Sequence, residues 1–169
     1  MFELKKISQT AVPAALAKAE RYRLLNEPEQ AESICRDVLA VAPDNQPAVV
    51  TLLLALTDQF RARAMTGIRE AEEVLGRLVE PYGRGYYSGI IRERWALALL
   101  AEGDPGNQAF EWLRDAMRAY EQASGMAPSG NDDAILRWNA CARIIDQRGL
   151  HGQPEPDVID AGDGAPQRR

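Results

Sequence analysis

The chain has few of the residues from which metal sites, disulfide frameworks and hydrolytic centres are built. Among 169 residues there are two cysteines, Cys35 and Cys141, and one histidine, His151. Two cysteines are too few for a disulfide scaffold or a cysteine-rich metal site. A lone histidine near the C-terminal end disfavours a Ser–His, Cys–His or histidine-based metal centre. We therefore expect no catalytic residues, no metal and no cofactor, and predict that Cys35 is a buried, unreactive thiol.

Long apolar runs and an excess of positive charge are also absent. No run approaches the roughly 20 residues of a membrane helix, and Met1–Thr10 has no apolar stretch typical of a signal peptide. The formal net charge is −5, which disfavours nucleic acid and anionic membranes as main partners. We expect a cytoplasmic protein with a protein or peptide partner, without nucleic acid binding or membrane insertion; a homo-oligomer is left open.

The alternating apolar pattern of β-strands is nearly absent, whereas signals for helix ends are frequent, so an all-α fold is expected. Capping residues, prolines and glycines predict seven helices, within about residues 10–25, 26–42, 44–63, 66–81, 90–102, 107–124 and 131–149. Together they make a helical domain over 1–149. From Leu150 onward, a composition rich in Pro, Gly and Asp predicts a disordered tail, 150–169.

Three local predictions depend on single residues. Asn26 with Glu29 three residues later is typical of a capping box, and Thr66 is expected to cap the fourth helix. The segment Pro81–Gly89 has three glycines and is predicted to be a loop between the fourth and fifth helices.

Three of the predicted helices share packing residues at the same spacing, which indicates an internal repeat. A small residue is followed by packing residues at +4 and +7, and by a proline that ends the helix. The proline is at +12 in two sets and earlier in the third: Ala31–Cys35–Val38–Pro43, Ala116–Tyr120–Ala123–Pro128 and Ala71–Leu75–Leu78–Pro81.

The first of these sets resembles a tetratricopeptide repeat. Val12–Asn45 spans the 34 residues of that repeat, and Tyr22, Ala31 and Pro43 stand where it has an aromatic, a small residue and a proline. The resemblance covers about residues 12–147. It implies antiparallel helix pairs in a short right-handed superhelix, with three degenerate repeats and a C-terminal capping helix.

The sequence departs from that family in two places. Gly103 and Ala116 are 13 residues apart, where the repeat has about five. The segment 104–112 therefore contains an insertion, either a longer loop or an extra turn on the sixth helix. Roughly six further residues are inserted around Arg61–Gly67.

In the tetratricopeptide family, the first helix of each unit lines a concave groove that holds peptides. The resemblance therefore implies a non-catalytic protein-interaction module, an adaptor or scaffold protein; the alternative is a cytoplasmic chaperone for a secreted client. The positions that would line the groove are Leu16, Glu20, Arg23, Val50, Leu54, Asp58, Ile90, Glu93, Leu97, Ile135, Asn139 and Arg143. The clamp by which one subset binds a C-terminal carboxylate is missing, because Leu16, Glu20 and Thr51 occupy its positions.

The aromatic residues allow two interpretations. Trp95, Trp112 and Trp138 each have apolar neighbours at helical spacing, which favours a place in the core over an exposed binding anchor. Tyr86 and Tyr87 lie close in sequence to three arginines, Arg84, Arg92 and Arg94. They form either a patch that stacks on bases and binds phosphate, or packed tyrosines beside solvated arginines. The acidic chain favours the second.

Overall fold

The computed structural model describes residues 2–152, and within them the chain is all-helical without a strand. The predicted all-α fold is thereby confirmed. A 3-10 turn, Gln9–Ala11, precedes seven helices: α1 Val12–Leu24, α2 Pro28–Val41, α3 Gln46–Asp58, α4 Phe60–Leu75, α5 Pro81–Ala101, α6 Asn107–Ser124 and α7 Asp133–Arg148. The predicted tail from residue 153 onward lies outside the described residues.

The helices pack against one another in the order of the sequence. In addition to these neighbour contacts, α1 contacts α3 and α3 contacts α5. The helices α1, α3 and α5 therefore lie side by side, as expected for a helical repeat. We call α1, α3, α5 and α7 the first helices, and α2, α4 and α6 the second helices.

The repeated small residues lie where the helices pack. Ala31, Ala71 and Ala116 are completely buried, as the repeat pattern predicts. The residues at +4 and +7 are buried as well, except for Leu75, which is half-buried. A larger side chain at the alanine positions has no room without displacing a neighbouring helix.

The prediction of a loop over 81–89 is wrong, because these residues are the first two turns of α5. Glu80 starts the helix: its carboxylate accepts hydrogen bonds from the backbone N–H groups of Tyr82 at 3.1 Å and Gly83 at 2.6 Å. Two of the glycines serve helix packing. A methyl group added at Gly89 would lie 2.6 Å from Cδ1 of Tyr120 in α6, and one added at Gly85 would lie 3.2 Å from Cβ of Ala123.

Two predicted caps are also wrong. Glu27, the residue before α2, makes no side-chain capping hydrogen bond, and Asn26 has a left-handed backbone with φ of 60°. This turn replaces the expected capping box. Thr66 lies inside α4, because α3 already ends at Asp58 and α4 begins at Phe60.

The two segments predicted to contain insertions lie wholly or largely in helices. Residues 61–67 lie within α4, and α6 begins at Asn107, nine residues before Ala116. Asp104 caps α6, since its carboxylate accepts hydrogen bonds from the N–H groups of Gly106 at 3.1 Å and Ala109 at 3.0 Å. Of the helix pairs in the described residues, α5 and α6 have the most extensive contact.

Leu150, assigned to the tail by composition, packs against the cluster of apolar residues around α6. A methyl group added at Gly106 would lie 2.8 Å from its Cδ2 atom. The packed part of the chain therefore continues past the predicted boundary at 149. None of the helices described here is long and apolar enough to cross a membrane.

We predict that Ala31→Leu destabilises the fold by about 1–3 kcal/mol, because the added atoms overpack a fully buried position. Ala40→Leu is the matched control, since Ala40 lies in the same helix and is exposed. The free energy of unfolding is measured by urea denaturation followed by circular dichroism. Equal stability of the two variants would contradict the assigned role of Ala31.

Gly89→Ala is expected to destabilise by about 1–3 kcal/mol through its clash with Tyr120, although alanine favours a helix by up to about 1 kcal/mol. Gly83→Ala is the control within α5: its methyl group would meet only the end of the Glu80 side chain, at 3.3 Å. Thermal unfolding should show a lower Tm for Gly89→Ala alone. A Gly89→Ala protein as stable as the control would argue against the close contact.

Candidate interaction face

Ion pairs connect three of the first helices on one side of the molecule. The Nε atom of Arg23 in α1 donates to Oδ2 of Asp58 in α3 at 2.8 Å. Arg94 in α5 pairs with the other carboxylate oxygen of Asp58. Nη1 of Arg94 also donates to the Thr57 hydroxyl at 2.8 Å. We call the side of α1, α3 and α5 that carries these contacts the first-helix face.

A cleft of about 250 Å³ opens beside the Arg94–Asp58 pair. We call it the arginine cleft; its lining residues are Thr57, Asp58, Phe60, Arg61, Arg94, Leu97 and Ala98. Phe60 and Ala98 are buried, whereas Leu97 is 37% exposed. Arg61 is exposed and forms no ion pair within the described residues.

Positive charge is in excess around the arginine cleft. Arg23, Arg61 and Arg94 surround a single carboxylate, that of Asp58, whereas the whole chain has a net charge of −5. Asp58 already accepts from two of the arginines, so it cannot neutralise all three. The cleft therefore combines an apolar floor with cationic side chains that favour an anionic group.

A buried carboxylate connects α5 to α6 and α7. Glu93 is only 3% exposed. Its Oε2 atom accepts from the Tyr120 hydroxyl at 2.6 Å, and its Oε1 atom accepts from Nη1 of Arg137 at 3.0 Å. Burial, together with the charge of Glu93 and the hydrogen bond to it, raises the pKa of Tyr120, so this hydroxyl remains a donor. Burial alone would lower the pKa of Arg137, but Glu93 raises it.

The residues predicted to line a groove have different environments. Ile90 and Glu93 are buried, 1% and 3% exposed, and cannot line an open surface. The assigned register of α5 is wrong because Gly85 and Gly89 turn this side of the helix toward α6. Leu16, Val50, Leu54 and Asn139 are half-buried; the exposed residues are Glu20, Leu97, Ile135 and Arg143. Arg23 and Asp58 form the ion pair described above.

Five residues of the cleft were not among the predicted positions: Thr57, Phe60, Arg61, Arg94 and Ala98. Arg94 precedes Leu97 by three residues, so the two share one side of a helix. This spacing could have predicted that Arg94 lies on the same surface as Leu97. No sequence pattern placed Arg61 at the cleft, because it belongs to α4, whose start was predicted too late.

The aromatic residues mostly pack. Trp95 is buried and meets Phe60 edge-to-face at 5.8 Å, whereas Trp112 is half-buried. Trp138 is 37% exposed, so the expectation of a core position is wrong for this residue. Tyr86 packs between Tyr82 and Tyr87, with ring centroids 5.8 and 5.2 Å away, which favours packed tyrosines over a stacking patch.

Cys35 and Cys141 are both free and buried, which confirms the prediction for Cys35. Burial raises the pKa of each thiol to about 12. Both are therefore protonated and poorly nucleophilic at neutral pH. Within the part of the chain that the structure describes, no group of three or more His, Cys, Asp or Glu side chains is placed to hold a metal ion.

Comparison with known proteins finds no match to this chain among protein-family models, curated proteins or solved structures. The resemblance to tetratricopeptide repeats stays a prediction that rests on the residues themselves.

We predict that Tyr120→Phe lowers the free energy of unfolding by about 1.5–3 kcal/mol, because Glu93 loses one of two hydrogen bonds while it stays buried. Tyr87→Phe is the control: Tyr87 is half-buried, and its hydroxyl makes no hydrogen bond within the described residues. Urea denaturation of both variants measures the difference. Equal midpoints would show that the bond to Glu93 contributes nothing to stability.

Proposed function

We propose that the chain is a cytoplasmic, non-catalytic protein-interaction module of the tetratricopeptide type, an adaptor or scaffold that binds a segment of a partner protein across the first-helix face. The observation that carries this proposal is the arginine cleft, where exposed Leu97 lies beside Arg61 and Arg94. A recess with an apolar floor and a few charged groups at its rim is typical of sites that hold one anchoring side chain of a partner.

The contacts around the cleft favour binding by a first-helix face whose helices are already ordered in the free protein. Arg23, Asp58 and Arg94 hold α1, α3 and α5 together before any partner arrives. Less conformational entropy is then lost on binding than if the face had to be ordered first. A loop of the same area would bind more weakly for this reason.

The composition of the face indicates the chemistry of the partner segment. Half-buried Val50 and Leu54, with exposed Leu97, offer apolar contact. The excess of arginine favours acidic side chains over basic ones. The proposed partner segment therefore combines aliphatic anchors with acidic residues, and we expect it to lie across α3 and α5.

Arg61→Glu tests this proposal without disturbing an ion pair of the described residues. We expect capture of the main partner from a native lysate, quantified by mass spectrometry, to fall about tenfold or more, since reversal at a contact costs more than about 1.4 kcal/mol. Arg69→Glu is the control, because Arg69 is also an exposed arginine of α4 but lies outside the cleft. Equal loss in both variants, or in neither, would contradict binding at the arginine cleft.

A further inference from the structure

Large apolar residues of α7 are exposed on its outer side and on its flank toward α6. Leu136 is 62% exposed, Ile135 48% and Trp138 37%. Ala134 and Cys141 are buried on the side of the helix opposite Leu136. Single exposed apolar side chains are ordinary on a protein surface, but three within two turns of one helix indicate an interaction surface.

Four residues lie in a row along the outer side of α7, at spacings of four, three and four residues. The first of them is the residue that precedes the helix, and the other three lie within it. They are Asp132, Leu136, Asn139 and Arg143, and we call them the α7 stripe. At about 100° per residue they lie within about 60° of one another, opposite the buried Ala134 and Cys141. Three of the four are exposed and Asn139 is half-buried.

The neighbouring helices leave the α7 stripe uncovered. On one flank, Ile135 and Trp138 border a crevice of about 180 Å³ against Tyr120 and Glu121 of α6. On the other flank, Arg137 is bound to Glu93 of α5. The stripe lies between these flanks, and no helix of the described residues covers it.

The charges of the α7 stripe are complementary to those of the same stripe in a second copy that runs antiparallel to it. Asp132 stands at one end and Arg143 at the other, and neither forms an ion pair within the described residues. In an antiparallel pair of α7 helices, Asp132 of each copy comes opposite Arg143 of the other, and Leu136 comes opposite Asn139. Antiparallel helices also place opposite ends of their dipoles together.

We propose that α7 is a homodimer interface, in which two copies of this chain pair antiparallel about a two-fold axis between Leu136 and Asn139. A two-fold axis makes every contact occur twice, so one Asp–Arg match becomes two. Ile135 lies at the edge of the paired helices and loses exposure there, whereas Trp138 stays on the flank toward α6. Because one helix from each copy forms the interface, it is at the small end of specific interfaces, and we expect a dissociation constant of about 1–10 μM.

Sedimentation velocity of the full chain, from about 1 to about 200 μM, tests the proposal. The wild-type protein should pass from its monomer mass of 18.7 kDa to twice that mass, and Leu136→Glu should stay monomeric over the same range. Val79→Glu is the control, because Val79 is similarly exposed but lies outside α7. A wild-type monomer at every concentration, or a dimer that survives Leu136→Glu, overturns the proposal.

A charge exchange tests the antiparallel pairing itself. Arg143→Asp places two aspartates opposite each other at both ends of the interface, and we expect dimer affinity to fall about tenfold or more. Adding Asp132→Arg to the same chain restores opposite charges and should restore the dimer. Failure of the double variant to recover, with its helical content unchanged by circular dichroism, overturns the pairing.

Discussion

The close contact between α5 and α6 at Gly89 is the constraint on which the C-terminal half of the molecule depends. Because Gly89 has no side chain, the ring of Tyr120 lies against α5, and its hydroxyl reaches Glu93 one turn further along. The second oxygen of Glu93 holds Arg137, so the same carboxylate positions α7. Removing one partner of a buried charge is strongly destabilising. The packing of α6 and the placement of α7 are therefore coupled through one side chain.

The N-terminal half is held differently, by ion pairs on both sides of the stacked helices. Arg23, Asp58 and Arg94 connect the first helices, while Glu32 of α2 accepts from Arg63 of α4 at 2.9 Å. Burial would raise the pKa of Glu32, but hydrogen bonds from Gln59 and Arg36 outweigh it and lower the pKa. Partly exposed pairs contribute little stability singly. These ion pairs instead fix the arrangement of the helices, because contacts on two sides restrict how one helix pair can rotate against the next.

The all-α fold class could be predicted because signals for helix ends are frequent and strand patterns are nearly absent. The repeat could be predicted because small residues recur at a fixed spacing; Ala31 and Ala116 are both fully buried. The glycines of α5 could not be assigned in this way. The sequence does not distinguish a glycine that permits a close helix contact from a glycine in a loop. Tyr120, which packs against Gly89, lies 31 residues further along the chain. The candidate face was affected by the same ambiguity. With α5 expected to begin nine residues late, its buried side was assigned to the groove, and Arg94 was missed.

The two proposed surfaces lie on different helices and do not compete. The arginine cleft is formed by α3, α4 and α5. The α7 stripe lies on the outer side of α7, and Arg137 on the flank of this helix is bound to Glu93 of α5. A dimer through α7 therefore leaves one arginine cleft open on each copy. A partner that carries two acidic segments on one chain would then bind the second cleft intramolecularly, and its apparent affinity would rise by up to about 10²–10⁴ without any new contact. Self-association of α7 would in this way convert a weak single contact at Leu97 and Arg61 into a stable complex.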